Sequence, residues 1–269
     1  MGTDGHAPVK FLCSDGHVYY CKYRLNEAEK RELDFLYYEL AGHVLLRQLG
    51  IPSPEVAFVR ITRDSFQEWQ MPRNARHMKP GVVAFGSQQV LGDIVDDFVR
   101  FPKAKDLDRI IQPEDLLRIA FFDLWTGNTD RGKALRFGHN YNVLLASEGN
   151  RQRFLPVDHA FLFGGQAGLR AFTPGHYRPT VDNSLFRTPV LLDVVRHLGA
   201  DKRNEVLNAF FLTSLPRTRP NELVSTLRSA SSCWPWPPGF PERMTDFLWD
   251  PDRLRLVETE ARSFIHQLP

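Results

Sequence analysis

Four polar residues in the middle of the chain have the types and spacing that phosphoryl transfer requires. Asp130 is followed ten and twelve residues later by Asn140 and Asn142, and Asp158 ends a short apolar run. An aspartate can orient or deprotonate an attacking hydroxyl, while an asparagine and a second aspartate hold the magnesium ion that neutralises the phosphates. Such a reaction depends mainly on positioning and electrostatics, so the pattern predicts a phosphotransfer site.

The flanking segments predict the elements that must position these residues. Residues 113–125 are strongly apolar and begin with Pro-Glu-Asp, which favours the first turn of a helix. Residues 142–146 and 154–158 are apolar runs separated by a polar turn, which predicts a hairpin. Asp130 is therefore expected in a loop between a helix and a hairpin, with Asp158 at the end of the second strand.

The N-terminal segment predicts a small unit that is rich in strands. Ser14-Asp15-Gly16 separates two β-prone runs, which is a hairpin signal. Residues 28–49 place apolar side chains at helical spacing before Gly50, and residues 56–62 alternate like a strand. A further short strand is expected at 82–85, after a polar and irregular segment.

Helical spacing dominates the remainder of the chain. It occurs at 190–197, 202–212, 222–229 and 251–267. These elements predict an α+β fold with a small β-rich N-terminal lobe and a larger, mainly helical C-terminal lobe. The run 233–241 contains Trp234 and Trp236 among prolines, and it is expected to pack over a core edge or to form a docking peptide.

The composition excludes several classes of protein. The 269 residues include 34 basic and 32 acidic side chains, so a net charge of +2 gives no reason to expect a nucleic-acid or membrane-surface partner. No uncharged apolar stretch approaches the roughly 18 residues of a membrane helix, and no secretory signal is recognisable, so a soluble cytoplasmic protein is expected. Cys13, Cys21 and Cys233 lack a C-x-x-C spacing and are expected to be buried thiols.

Around the polar residues, the sequence resembles the HipA-like kinases, in particular their small single-domain members. The stretches that carry this resemblance are Phe122-Asp123, Asn128-Thr-Asp130-Arg131, Asn140-Tyr-Asn142-Val-Leu-Leu and Val157-Asp158-His159-Ala160. Similar stretches upstream are Tyr20-Cys-Lys22-Tyr, Tyr38-Glu39-Leu-Ala, Leu49-Gly50-Ile-Pro-Ser-Pro54 and Phe85-Gly86-Ser87. Type II phosphatidylinositol 4-kinases share a related Asn-Thr-Asp-Arg-Gly run, which keeps a lipid substrate open.

The resemblance implies a bilobal protein-kinase-like fold that binds ATP and Mg²⁺. It implies a nucleotide-binding lobe at 1–90 and a catalytic lobe at 91–269, which together form one kinase-like domain. It also implies that Asp130 is the catalytic aspartate, in a catalytic loop that includes Asn128 and Arg131.

Further ligands of the nucleotide and metal follow from the same resemblance. Asn142, or alternatively Asn140, and Asp158 are implied as magnesium ligands, and Lys22 as the anchor of the α- and β-phosphates. Glu39 follows Lys22 by seventeen residues and suits the helix glutamate that kinases pair with this lysine. Because Glu39 lies off the main apolar stripe of its helix, a polar cleft and solvent are both open as its surroundings.

Other positions have supporting or variant roles. Asp123 is expected to be buried and to hold the catalytic loop, through Arg131 or backbone amides. Gly2 and Gly5 are the candidates for a loop over the phosphates. Ala160 replaces the glycine that usually follows Asp-His, which is expected to stiffen that turn. The segment 133–139 lengthens the catalytic loop; its Lys133, Arg136 and His139 are expected to form a solvated basic loop or to meet a phosphate or an acidic substrate.

The activity expected from the resemblance is transfer of the γ-phosphate of ATP to a hydroxyl, with a protein serine or threonine as the leading acceptor. A regulatory protein partner is also possible by analogy with the family. Two alternatives are a catalytically inactive module that binds a nucleotide or a partner, and a kinase that acts on a lipid or small molecule.

Overall fold

A computed structural model describes residues 8–23, 30–65, 79–165, 179–182, 184–235 and 239–268, with the backbone alone at 30–34. It has a small β-rich N-terminal part and a helical C-terminal part. The α+β class expected from the sequence is therefore confirmed.

The N-terminal part contains a four-stranded antiparallel sheet. Its strands are β1 (Val9–Leu12), β2 (Val18–Lys22), β3 (Val56–Arg60) and β4 (Val83–Gln88), in the order β1-β2-β4-β3. The predicted hairpin joins β1 to β2, where the N–H of Gly16 donates to the carbonyl of Cys13 at 3.0 Å. Lys22 ends β2 opposite Phe85 of β4, so it lies on an inner strand of the sheet.

Helix α1 (Lys30–Gln48) packs between this sheet and the helices of the C-terminal part. From Leu36 to Leu46 every side chain except that of His43 is buried. The helix therefore has no solvated face along this stretch, and the apolar stripe seen in the sequence is only part of its buried surface. Of the two surroundings considered for Glu39, open solvent is excluded, because the side chain is only 3 % exposed.

A second sheet lies next to the helix that leads to Asp130. Helix α2 runs over Asp115–Thr126, and the sheet contains β5 (Gly92–Ile94), β8 (Val143–Glu148) and β9 (Arg151–Pro156) in the order β5-β8-β9. The predicted hairpin is therefore present as β8 and β9. The segment expected as a basic loop is itself a short hairpin, made of β6 (Lys133–Leu135) and β7 (Gly138–Asn140).

Within the described residues, the C-terminal part also contains the α-helices α3 (Pro189–Asn208), α4 (Pro220–Ala230), α5 (Phe240–Trp249) and α6 (Pro251–Gln267). Helix α3 joins two helices that the sequence predicted separately, and it is kinked at Gly199. Helix α5 was not predicted, although Phe240, Met244 and Phe247 have helical spacing and are buried. None of the described helices is long and apolar enough to span a bilayer.

Trp234 ties the segment before α5 to the N-terminal part. Its indole N–H donates to the carbonyl of Val83 at 2.8 Å. The centre of its ring lies 5.7 Å from that of Tyr37 and 5.0 Å from that of Phe58. The prediction that this run packs over a core edge is confirmed for Trp234, which is 3 % exposed. Trp236 lies outside the described residues.

Replacing Trp234 by alanine is expected to lower the free energy of unfolding by about 3–5 kcal/mol, because a buried ring is lost and a cavity remains. Trp234→Phe keeps most of the packing and loses the bond to Val83, so a loss of about 1–2 kcal/mol is expected. Equilibrium unfolding in urea measures both. Phe137→Ala is the control, since Phe137 is 87 % exposed and its loss should change stability by less than about 0.5 kcal/mol. Equal losses in the two Trp234 variants would contradict the packing role.

Candidate active site

A cleft of about 360 Å³ opens between the first sheet and the second sheet. One side is apolar, with lining side chains from Tyr20, Val56, Phe85, Val90, Ile94 and Leu144. The other end is polar, and its lining includes Lys22, Glu39, Asn142, Asp158 and His159. Four residues that the sequence singled out from distant segments therefore meet in one cleft that combines an apolar wall with a charged end.

Lys22 lies between two carboxylates. Its Nζ atom is 2.5 Å from Oε1 of Glu39 and 2.7 Å from Oδ1 of Asp158. Burial opposes the charge of the ammonium, but the two carboxylates outweigh it and raise the pKa of Lys22. Burial likewise acts against ionisation of Asp158, yet Lys22 holds the pKa of Asp158 at about 2. Lys22 and Asp158 are therefore both charged at neutral pH.

Glu39 connects this cation to the strand end that carries Asp158. Its Oε1 atom pairs with Lys22, and its Oε2 atom accepts a hydrogen bond from the backbone N–H of His159 at 3.0 Å. Desolvation raises the pKa of Glu39, against the opposing effect of the Lys22 charge. The helix glutamate thus contacts both the strand lysine and the residue after Asp158.

Asp130 is held by two asparagine side chains. The Nδ2 atoms of Asn140 and Asn142 donate to its Oδ2 atom at 2.7 and 2.8 Å. Its Oδ1 atom accepts no hydrogen bond from the described part of the chain. One carboxylate oxygen of Asp130 is thus fixed by two hydrogen bonds, while the other accepts none from the described residues.

The catalytic loop is anchored by Arg131, whose side chain is completely buried. The guanidinium pairs with Asp123, and it donates to the carbonyls of Asn142 at 3.3 Å and Val157 at 2.8 Å. It also lies 3.3 Å from Nδ1 of His159. Burial and the charge of Arg131 lower the pKa of His159 well below its ordinary value, so the neutral ring accepts this bond. The Arg131 side chain is enclosed, and its contacts hold the neighbouring segments in place.

Asn128 has a similar supporting position. Its Nδ2 atom donates to Asp123 at 3.0 Å, and its Oδ1 atom accepts the backbone N–H of Asp130 at 3.1 Å. The buried carboxylate of Asp123 thereby holds the loop through Arg131 and Asn128 together. Complete burial raises the pKa of Asp123 to about 6 despite the adjacent guanidinium.

Two glycines allow the close packing of this site. A Cβ atom on Gly42 of α1 would lie 2.6 Å from the ring of His159. Gly132 has a φ of +88° and passes so close to the backbone of Ser184 that a Cβ atom would collide with it. A side chain at either position requires the helix, or the catalytic loop, to move away from its neighbour.

Asn142 and Asp158 fit a magnesium ion by the chemistry of their donors. Both line the cleft, and both offer the side-chain oxygens that this cation prefers. Their φ values of +46° and +56° are left-handed, a conformation that asparagine and aspartate tolerate better than most residues. Asn140 does not line the cleft, so Asn142 is the better placed of the two candidates.

The remaining sequence expectations concern residues around the site. Ala160 does not have a positive φ, so the turn does not need the freedom of the glycine that it replaces. Gly2 and Gly5 lie outside the described residues. The sequence analysis did not predict two contacts. One is the bond from Arg131 to the neutral ring of His159, and the other is the bond from Asn140 to Asp130. The Asp-His pair in the sequence was the only local signal for the first of these.

Removal of the Asp123 carboxylate in Asp123→Ala is expected to lower the free energy of unfolding by about 3–5 kcal/mol, because Arg131 would remain charged and buried without its counter-ion. Urea unfolding measures this loss. The matched control is Glu222→Ala, which breaks the exposed pair of Glu222 with Arg47 and should cost less than about 1 kcal/mol. A similar cost for both variants would show that the buried pair does not hold the site.

The comparison with known protein families finds a match over the part of the chain that forms the cleft. The model of the HipA-like kinase family matches residues 6–191, which include every described residue of the cleft. No curated protein matches the chain. Since the match covers more than half of its length, the chain belongs to the HipA-like kinase family.

Proposed function

We propose that the protein is a cytoplasmic ATP- and Mg²⁺-dependent kinase that transfers the γ-phosphate to a serine or threonine of a protein. Family membership suggests kinase activity in general. The observation that carries the specific proposal is the contact of Lys22 with both Glu39 and Asp158 at one end of an apolar cleft. We also propose that the two parts are the lobes of a kinase-like fold, divided near residue 90.

The nucleotide is proposed to lie with its base between the apolar walls of the cleft. Tyr20 and Phe85 come from the first sheet, and Leu144 comes from the second. Val90 lines the cleft between the two sheets, and its backbone N–H and C=O have no partner among the described residues. These groups suit the edge of a planar base, since an unpaired backbone group in a cleft needs a hydrogen-bonding partner.

The phosphates are proposed to lie at the charged end. The ammonium of Lys22 is oriented by Glu39 and suits the α- and β-phosphate oxygens. Asn142 and Asp158 would hold Mg²⁺, and the bound ion would neutralise charge on the β- and γ-phosphates.

The transfer step then requires one proton acceptor. Oδ1 of Asp130 accepts the proton of the acceptor hydroxyl as the hydroxyl oxygen bonds to the γ-phosphorus. The bond from that phosphorus to the bridging oxygen breaks, and its electron pair leaves with ADP. Asn140 and Asn142 keep the carboxylate oriented during this step, because both donate to its other oxygen.

Asp130→Asn is expected to lower the rate of phosphate transfer by about 10²–10⁴-fold, because the proton acceptor is lost. Its thermal shift with Mg-ATP should equal that of the wild type. Asp158→Asn should lose the magnesium-dependent part of that shift, because a ligand stabilises only the state that binds it. The exposed Asp108→Asn serves as the control with the same chemical change.

Transfer from [γ-³²P]ATP to protein and lipid acceptors, measured beside differential scanning fluorimetry, separates the alternatives. A Mg-ATP shift in the wild type without turnover on any acceptor would favour the inactive binding module. Turnover on lipid alone would replace the protein acceptor. Wild-type rates in Asp130→Asn would refute the assigned role of Asp130.

A further inference from the structure

We infer that the β6–β7 hairpin is the docking site of the acceptor, and that the acceptor is a peptide segment rich in acidic and apolar residues. The inference rests on the proposed kinase function and names its substrate class. The hairpin covers Lys133–Asn140 and will be called the catalytic-loop hairpin.

The position of the catalytic-loop hairpin links it directly to the proposed chemistry. It begins three residues after Asp130 and ends at Asn140, whose side chain donates to the Asp130 carboxylate. The N–H of Lys133 donates to the carbonyl of Asp130 at 3.2 Å, and the N–H of Gly132 donates to that of Asn140 at 2.6 Å. A peptide bound along the hairpin is therefore next to the group that must receive its hydroxyl proton.

The base of the hairpin is held firmly from outside. The carboxylate of Asp97 lies 3.1 Å from Nδ1 of His139 and accepts the hydroxyl hydrogen of Tyr141 at 2.7 Å. These bonds span more than forty residues of sequence and fix the segment around Asp97 against the hairpin. A surface that is braced in this way is already organised for binding, which reduces the entropy lost when a partner docks.

The tip of the hairpin is apolar and exposed. Leu135 is 54 % exposed and Phe137 is 87 % exposed, and Phe98, next to Asp97 on the bracing segment, is 94 % exposed. Phenylalanine side chains are more often buried than exposed, and here Phe98 and Phe137 lie on segments that are hydrogen-bonded to each other.

The exposed charges of the hairpin indicate which chemistry its partner has. Lys133 and Arg136 are exposed, and neither pairs with a carboxylate among the described residues. The Arg136 guanidinium lies 5.1 Å from the centre of the Phe137 ring, so cation and aromatic surface are presented together. On the bracing segment, Asp97 is engaged with His139, and Asp96 accepts the backbone N–H groups of Phe98 and Val99. The free cations therefore suit carboxylates that alternate with apolar side chains.

The backbone favours a peptide over a membrane surface. Among the described strands, β6 pairs only with β7, and its three residues are all exposed. Within the described chain its outer edge pairs with no other strand, so an extended peptide can add to it by main-chain hydrogen bonds.

The test uses an array of synthetic peptides with a central serine or threonine, flanked by acidic and apolar, basic and apolar, or neutral residues. Binding of the full chain is measured with Mg²⁺ and a non-hydrolysable ATP analogue, and phosphate transfer to the same array is measured separately. Wild type should prefer the acidic and apolar peptides. Lys133→Glu/Arg136→Glu should weaken this binding at least about tenfold and favour basic peptides, since charge complementarity is reversed. Phe137→Ser should weaken binding to a similar extent and keep the charge preference.

The matched control is Lys105→Glu/Arg109→Glu, which makes the same change in net charge at exposed residues outside the hairpin. It should bind the peptides like the wild type, and all variants should keep the wild-type thermal shift with Mg-ATP. An unchanged preference in the hairpin variant, or an equal loss in the control, would overturn the inference. Binding to phosphatidylserine vesicles without binding to any peptide would also overturn it.

The two measurements, peptide binding and phosphate transfer, test the docking site and the kinase proposal separately. Peptide binding that depends on the hairpin, without phosphate transfer, would support the docking site and refute the kinase proposal. Phosphate transfer that ignores the hairpin substitutions would refute the docking site and leave the kinase proposal intact.

Discussion

The buried ion pair between Arg131 and Asp123 is the interaction on which the geometry of the site depends. Both side chains are completely buried, and a charge in such a position costs several kcal/mol unless it is paired and hydrogen-bonded. The planar guanidinium reaches α2 through Asp123, the beginning of β8 through the carbonyl of Asn142, and the end of β9 through that of Val157. Because the donors of arginine have a fixed geometry, these three elements can meet in only a narrow range of orientations.

A second set of contacts extends this constraint to the N-terminal part. The neutral ring of His159 accepts from Arg131, its backbone N–H donates to Glu39, and Glu39 pairs with Lys22. The contacts therefore run without a gap from the catalytic loop to strand β2. Any movement of α1 that separates Glu39 from Lys22 also disturbs the residue that follows Asp158, so the proposed phosphate anchor and metal ligand are linked in position. The absence of a side chain at Gly42 is what lets α1 approach closely enough for this link.

The sequence predicted the elements that local residue patterns determine. It did not predict the features that depend on contacts between distant segments. Turn residues and alternation predicted the β1–β2 and β8–β9 hairpins, and the rule that a buried carboxylate needs a partner predicted that Asp123 holds the catalytic loop. The surroundings of Glu39 could not be predicted, because the stretch of α1 from Leu36 to Leu46 is covered by elements far away in the chain. The catalytic-loop hairpin was missed for the same reason, since its strands have only three residues each and the bond from Asp97 to His139 spans 42 positions. The α5 helix was obscured by the proline-rich run before it, which is typical of an irregular segment.

Burial separates the residues that hold the site together from the residues that are proposed to react or to bind a ligand. Arg131, Asp123 and Glu39 are almost entirely buried, whereas the Asp158 side chain is 39 % exposed to the cleft. A reacting or ligand-binding group must reach its ligand and must therefore be open, but an open polar side chain has many orientations available to it. Asp130 and Asp158 overcome this through partners behind them, which are asparagine side chains for the first and Lys22 for the second. In this proposal the buried charges of Arg131, Asp123 and Glu39 act by limiting the orientations of the few exposed groups.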